Sequence, residues 1–269
     1  MIPPADLAFV AQLCLERAGL RVQVERSYLI ESRLAPVARR EGYDSADAFI
    51  AALRDRRDER QAWAAVEAMA LPEPEFFRDR EVFEHLLAEV LPGLARGRGG
   101  EPVRVWHTAC GTGQEVYSLA MLLADAPALD ARVELFASDL SERAIEKAQA
   151  GLYSQFEVQR GLPARMLVRH FEKAGDSFVL SPRVRQMVRW RRVNLLDDLG
   201  RGGQFDLVLC RSLLGQLAPQ AHDRVLAQLT GALAPGGRLV LGARDRPDAG
   251  LTQVGPCIYG DPDAVRSAA

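Results

Sequence analysis

Two hydrophobic periods divide the chain. Up to about residue 70, apolar positions recur every three or four residues, predicting amphipathic helices over Leu7–Ala18, Arg26–Glu41, Ser45–Leu53 and Asp58–Ala70. Gly19, Gly42-Tyr-Asp-Ser45 and Leu71-Pro-Glu-Pro74 punctuate them, and Ser45 is placed as an N-cap. Glu75–Val90 reads as a connecting helix and Ala95–Gly100 as a flexible approach to the first strand. From Val103 the pattern changes. Short apolar or alternating runs at 103–107, 133–138, 188–193, 206–210, 238–242 and near 252–259 are separated by helical stretches, as in a parallel sheet with crossover helices. Asp206-Leu-Val-Leu-Cys210 is apolar after its first residue, as a central strand covered on both faces should be. Leu233-Ala-Pro-Gly-Gly-Arg-Leu-Val240 reads as a helix end, a turn and a strand entry. The insert 151–187 has a helical part, Pro163–Phe171, and alternating runs at Asp176–Leu180 and Val184–Val188, which predict a small antiparallel hairpin appended to the main sheet. The expected organisation is a helical domain (1–74), a connecting helix and linker (75–100), and an α/β domain (101–269) that carries the insert.

The chemistry sits where the first strand ends. Val103–His107 runs through Ala109-Cys-Gly-Thr-Gly113 into a helix opening near Gln114, a turn that lets a ligand approach the main chain. Ala109, Gly111 and Gly113 are therefore candidate cofactor-binding positions. The second strand ends at Asp139, where a carboxylate is placed to accept both hydroxyls of a ribose. The turn does not fit a phosphate cradle: it lacks Gly-Lys-Ser/Thr, and Glu115 stands where a pyrophosphate would lie. An anion there is disfavoured and a cationic amine is welcome. S-adenosylmethionine carries an α-amino group, a sulfonium and a ribose, and no phosphate. It is the cofactor these residues point to.

Composition narrows the context. A net charge of −2 implies no bulk attraction to nucleic acid or membrane, so any electrostatic partner site must be local. The four cysteines (Cys14, Cys110, Cys210, Cys257) stand singly and the four histidines are scattered, which argues against a bound metal or a disulfide framework and for a reducing compartment. No apolar run approaches membrane-span length, and Met1–Asp6 has no basic region or apolar stretch of an export signal. The expectation is a soluble, cytoplasmic, monomeric protein.

With the order of these pieces fixed, the chain resembles the CheR-type chemoreceptor glutamate methyltransferases from about residue 5 to 260. The resemblance is carried by Glu31-Ser-Arg-Leu34, Glu75-Phe-Phe-Arg-Asp79, Trp106 to Ser118, Ala137-Ser-Asp139 and Ala148 to Tyr153. Val193-Asn-Leu195, Phe205 to Arg211 and Pro256 to Tyr259 extend it. It implies an N-terminal helical domain, a Rossmann-like methyltransferase sheet that binds S-adenosylmethionine, and a small β-subdomain in the insert. By position, it implies that Glu115 lies on the cofactor side, that Asp139 holds the ribose, and that Asn194 and Leu195 flank the adenine. It places Arg78 beside the transferring methyl as the catalytic residue, and Arg211 and Ser212 with the cofactor. Phe76 and Phe77 are assigned to packing.

Arg26, Arg33 and Arg40 recur every seven residues, within about 20° per step on one helix face, opposite the apolar stripe Ile30, Leu34 and Val37. Such a row is by itself a solvated charged face. The resemblance implies that it meets the acidic cytoplasmic helices of chemoreceptors as the acceptor-binding surface. Pro36 falls inside this helix, where it removes one hydrogen bond. The short Lys173–Phe178 connection lacks the extra glycine-rich loop of relatives that dock on a receptor's C-terminal peptide, so docking independent of such a tether is expected.

The chain departs from the family pattern on the acceptor side. Pro72-Glu-Pro74 replaces Asn-Glu-Thr, Ser212 replaces an asparagine, Gln216 replaces a tyrosine, and Gly242-Ala-Arg-Asp245 replaces Gly-His-Ser-Glu. Two readings compete: transfer of methyl groups to receptor glutamates, or a module that binds the cofactor without turnover and acts through protein contacts. A third reading, methylation of RNA or a small molecule, is disfavoured, because the chain lacks a general basic surface and has no Asn/Asp-Pro-Pro-Tyr/Phe tetrapeptide for an amine acceptor.

Overall fold

Helices α1 (Pro4–Ala18), α2 (Ser27–Arg40), α3 (Ala46–Arg56) and α4 (Glu59–Met69) form where the periodicity predicts them. The computed structural model describes every residue except 1, 57, 71–73, 212, 246, 248–249 and 262–269, and omits the Arg201 side chain. Ser45 caps α3 by accepting the Ala48 N–H at 3.1 Å, and Asp58 caps α4 through Gln61 at 2.9 Å. Ile30, Leu34 and Val37 are buried, and α2 continues through Pro36 as one helix.

The segment 75–97 differs from the expected connecting helix. Helix begins only at α5 (Arg80–His85), passes through a π turn (Leu86–Val90) and continues as α6 (Leu91–Gly97), so the first half of the expected flexible approach, Ala95–Gly97, is helical. Glu75 to Asp79 cannot join it, because Phe77 and Asp79 have φ of 50° and 51°. Left-handed backbone at bulky residues ends a right-handed helix.

The main sheet contains β1 (Val103–Thr108), β2 (Val133–Asp139), β6 (Val188–Arg192), β7 (Phe205–Cys210), β8 (Leu233–Leu241), β9 (Thr252–Gly255) and β10 (Ile258–Gly260). Their order is β6-β2-β1-β7-β8-β10-β9, parallel from β6 to β8 and antiparallel at β10 and β9. Every residue of β7 is buried. Two details depart from expectation. The single last strand is a hairpin turning at Pro256-Cys257. The Pro-Gly-Gly element lies inside β8, where Leu233 pairs with Phe205 and Arg238 with Leu207, so it forms an irregularity of the ladder rather than a turn before it.

Helices α7 (Gln114–Ala124), α9 (Glu142–Ala150) and α13 (Pro219–Gly231) are the main crossovers, with the short α8 (Pro127–Asp130), α10 (Gln155–Gln159), α11 (Ala164–His170) and α12 (Pro182–Gln186) between them. The insert makes a separate sheet, β3 (Leu152–Ser154), β5 (Ser177–Leu180) and β4 (Phe171–Ala174) in that order, not an extension of the main one. The hairpin pairs β4 with β5 across Gly175-Asp176. Residues 184–188 were expected as its second strand, but Ser181-Pro182 starts a short helix there, Pro182–Gln186, with proline at its first turn.

Two cores hold these layers. One covers the sheet face under α7, α5 and the insert. The other is continuous from the helical domain through α13 to the opposite sheet face, joining Leu34 and Phe49 to Val208 and Leu239. Ala218 donates to Gly19 O and Arg21 to Gln216 O, both at 2.8 Å, which stitches the helical domain to the loop after β7. Among the described residues no helix is long and apolar enough to cross a membrane.

Candidate active site

The carboxyl ends of β1, β2 and β7 meet where the strand order reverses, the usual ligand crevice of an open α/β sheet. Between Ala109 and Gly113 the chain turns through φ of 47° at Ala109, 55° at Gly111 and 91° at Gly113. Gly113 also permits close packing, since a Cβ there would lie 2.9 Å from the Ala148 side chain. The turn is fastened by Tyr153 Oη donating to Thr112 O at 2.7 Å and by the Gly111 N–H donating to Asp139 Oδ2 at 2.8 Å. Asp139 Oδ1 accepts the Ser141 N–H at 2.9 Å. Burial pushes the Asp139 carboxyl above its ordinary range, opposed by the N–H groups of Ser141, Gly111 and Leu140. Each oxygen accepts one backbone N–H and keeps further lone-pair capacity for a ligand hydroxyl.

Asp139 borders a solvent-open cavity between the two domains. Ala18, Leu20 and Ala70 of the helical domain form one wall, and residues 193–196 with Leu213, Leu217 and Val225 form the others. A largely apolar slot with one buried carboxylate fits an adenosine held by its ribose. Leu195 contributes apolar surface. Asn194 lines the cavity, but its amide is engaged elsewhere: Nδ2 donates to Arg17 O at 2.7 Å and Oδ1 accepts the Leu196 N–H at 3.1 Å. Its side chain therefore fastens α1 and shapes the wall.

Next to the cavity, the Phe-Phe-Arg-Asp loop lies over the start of α7. Phe76 and Phe77 are buried, as assigned. The Phe77 N–H donates to Ser118 Oγ at 2.9 Å, and that hydroxyl donates to Gln114 O at 2.7 Å. Arg211, with 2% of its side chain exposed, donates from Nη1 to Arg78 O and Glu115 Oε2, each at 3.1 Å, and from Nη2 to Asp79. Burial raises the Glu115 pKa, while Arg211 and Arg78 lower it. Arg211 lines the cavity, yet its terminal nitrogens hold the loop. Arg78 is exposed. Ser212 lies outside the described residues.

A second, open groove shares Leu20 and Gln216 with the cavity and carries Arg21, Arg26 and Arg33. Arg33 Nη1 donates to Met69 O at 2.6 Å. The predicted stripe is thus only partly brought together. Arg40 is not on this groove; its Nε lies 3.4 Å from Glu41, which also pairs with Arg60. The drift of about 20° per heptad along a straight helix moves the far end of such a stripe aside.

Comparison with known proteins agrees with this geometry. The family description "CheR methyltransferase, SAM binding domain" matches residues 73–255, and "CheR methyltransferase, all-alpha domain" matches residues 5–65. The chain belongs to the CheR methyltransferase family. It is 33% identical over 247 residues to chemotaxis protein methyltransferase 1 of Pseudomonas aeruginosa, covering 90% of each chain. It is 32% identical over 234 residues to a chemotaxis protein methyltransferase of Vibrio parahaemolyticus, covering 85% of this chain and 84% of that one. A probable biofilm formation methyltransferase of P. aeruginosa is 36% identical over 184 residues, 66% of this chain and 43% of its own. The cofactor of this CheR methyltransferase is S-adenosylmethionine.

Sequence reading missed several residues around the site. Ser118, on the first turns of α7, fixes the Phe77 backbone. Ser141 joins the site to the helical domain, its hydroxyl donating to Glu67 Oε2 at 3.0 Å. Arg21 was hidden in an irregular segment, where no periodicity marks a face. His107 left one signal, an ionisable ring near the end of a largely buried strand.

Proposed function

We propose that this CheR methyltransferase transfers methyl groups to glutamate carboxylates on the cytoplasmic helices of chemoreceptors, acting as a cytoplasmic enzyme. The observation that carries this reading is the common wall, Leu20 and Gln216, between the cofactor cavity and a groove bearing three arginines. An acidic helix lying in that groove is complementary in charge, and its glutamates come next to the cavity. Bound S-adenosylmethionine supplies an activated methyl group and departs as a neutral thioether. A glutamate with a pKa of about 4.3 is already ionised at neutral pH, so the chain need not supply a general base. Its residues have to align and desolvate. Asp139 anchors the ribose, Leu195 and the other apolar wall residues exclude water, and Glu115 faces the cofactor's ammonium group. Arg78 orients the incoming carboxylate, whose oxygen forms the new bond to carbon as the carbon–sulfur bond breaks. Gln216 occupies the junction of the two spaces and takes part in acceptor placement. The binding-only module is not favoured, since the named relatives that match along most of the chain are methyltransferases.

The test is transfer of label from S-adenosylmethionine to a receptor cytoplasmic fragment, scored as base-labile methyl ester. Arg78→Ala is expected to lower turnover about a hundredfold while S-adenosylhomocysteine affinity changes less than about threefold. Equal losses in both would remove Arg78 from the acceptor side. Arg26→Ala and Arg33→Ala are expected to raise the receptor KM, and added salt should weaken receptor binding to the parent chain. Salt-independent receptor binding would exclude the groove.

A further inference from the structure

His107 is the next-to-last residue of β1, on the sheet face that carries α7, and it is 2% exposed. Packing does not explain an imidazole here. Among the described residues its Nε2 meets no hydrogen-bond partner, although the atom is buried. A site with no use for the ring's polarity would be filled more stably by an apolar side chain of similar size. The other ring nitrogen, Nδ1, lies 3.8 Å from Glu115 Oε1, longer than a hydrogen bond, a contact of the kind that tightens when ligand binds. Burial and the nearby Arg211 guanidinium keep the ring neutral, with a pKa of about 3. A neutral imidazole offers one N–H and one lone pair, and a carboxylate only accepts, so the proton belongs on Nδ1. Glu115 is then approached from two sides, Oε2 by Arg211 at 3.1 Å and Oε1 by His107.

We propose that His107 is a positioning residue: its Nδ1–H holds Glu115 so that the carboxylate faces the α-ammonium group of S-adenosylmethionine. This rests on the reading of Glu115 as that ammonium's partner. A neutral donor suits the role. It orients the carboxylate without adding a positive charge that would repel the ligand.

Two ligands separate this role from a structural one. S-adenosylhomocysteine carries the ammonium group, and 5′-deoxy-5′-methylthioadenosine has the same nucleoside without it. By titration calorimetry, His107→Leu is expected to weaken S-adenosylhomocysteine about tenfold and methylthioadenosine less than about twofold. His107→Asn places an amide N–H near the position of Nδ1–H and should stay within about threefold of the parent. His107→Gln places its amide near Nε2 and should behave like the leucine variant. The asparagine–glutamine pair carries the comparison alone if His107→Leu does not fold. Equal weakening of both ligands, or an asparagine variant as weak as the glutamine variant, overturns the proposal. Glu115→Gln serves as the control. If it fails to discriminate the two ligands, the reading of Glu115 falls and this proposal with it. If it discriminates and the His107 variants do not, the role of His107 alone falls.

Discussion

Replacing Asp139 with asparagine is expected to weaken S-adenosylhomocysteine about a hundredfold and to leave the protein folded. The carboxylate has two tasks, and the amide performs neither well. Toward the protein, Oδ1 and Oδ2 accept backbone N–H groups from Ser141 and Gly111. An asparagine must turn its NH₂ toward one of these, setting donor against donor, which costs about 1–3 kcal/mol at a buried position. Toward the cavity, one of the two acceptors for the ribose hydroxyls is lost. The consequence is readable by thermal unfolding. Ligand at a thousand times the parent Kd stabilises the parent by about 4.1 kcal/mol, and the same concentration stabilises a hundredfold weaker variant by about 1.4 kcal/mol. An unchanged ligand-induced shift would show that Asp139 does not hold the ribose. The pH dependence gives a second check. Because burial raises the folded-state pKa above the ordinary 3.8, the native apoprotein takes up this proton before the unfolded chain does. This group therefore adds to apoprotein stability as pH falls through that window. Ligand affinity, which needs the ionised acceptor, falls over the same window.

Those parts of the fold that a single residue pattern controls were legible in the sequence. The helices of the N-terminal domain have clean apolar stripes, and β1, β2 and β7 carry apolar runs too short for helices. Asp139 at the end of β2 and the glycine turn could be placed because strand ends and φ-permissive residues are local signals. What the local pattern concealed depends on distant partners. Phe77 and Asp79 have left-handed backbone only because Ser118 and Arg211, far along the chain, capture their neighbourhood. A reading based on propensity extends the helix through them. In the same way, β4 pairs with β5 across a two-residue connection, while the alternating run 184–188 is diverted by Pro182. The arginine row was read on an isolated helix, but the groove is defined by the loop after β7, which selects Arg26 and Arg33, adds Arg21 and omits Arg40. Asn194 shows the limit of position as a guide. It sits on the cavity wall, yet both ends of its amide are engaged by backbone.

Arg211→Met should cost the largest share of stability of any single change at the site, about 3 kcal/mol. The guanidinium is nearly inaccessible and joins three groups: the Glu115 carboxylate, the Asp79 carboxylate and the Arg78 carbonyl. Removing one member of a buried pair costs about 3–5 kcal/mol, because the remaining charge stays desolvated. The lower end applies here, since the Asp79 side chain is 38% exposed and water screens it. For a protein of this size each kcal/mol lowers Tm by about 2–4 °C, so a fall of about 6–12 °C is expected. Methionine fills much of the volume and can still contact Phe83, whose ring centroid lies 5.9 Å from the guanidinium. The loss therefore reports charge and hydrogen bonds more than packing. Adding Glu115→Gln removes the carboxylate that the first change leaves unpaired. The double variant should then be more stable than Arg211→Met alone, a coupling that a double-mutant cycle measures directly. Turnover should not recover with stability. Without Arg211 the loop loses its hold on the Arg78 carbonyl and on the Asp79 carboxylate, so the arginine proposed to meet the acceptor is positioned less firmly. A double variant no more stable than the single, or a Tm change below about 2 °C for Arg211→Met, would mean that the loop is held by its buried phenylalanines instead.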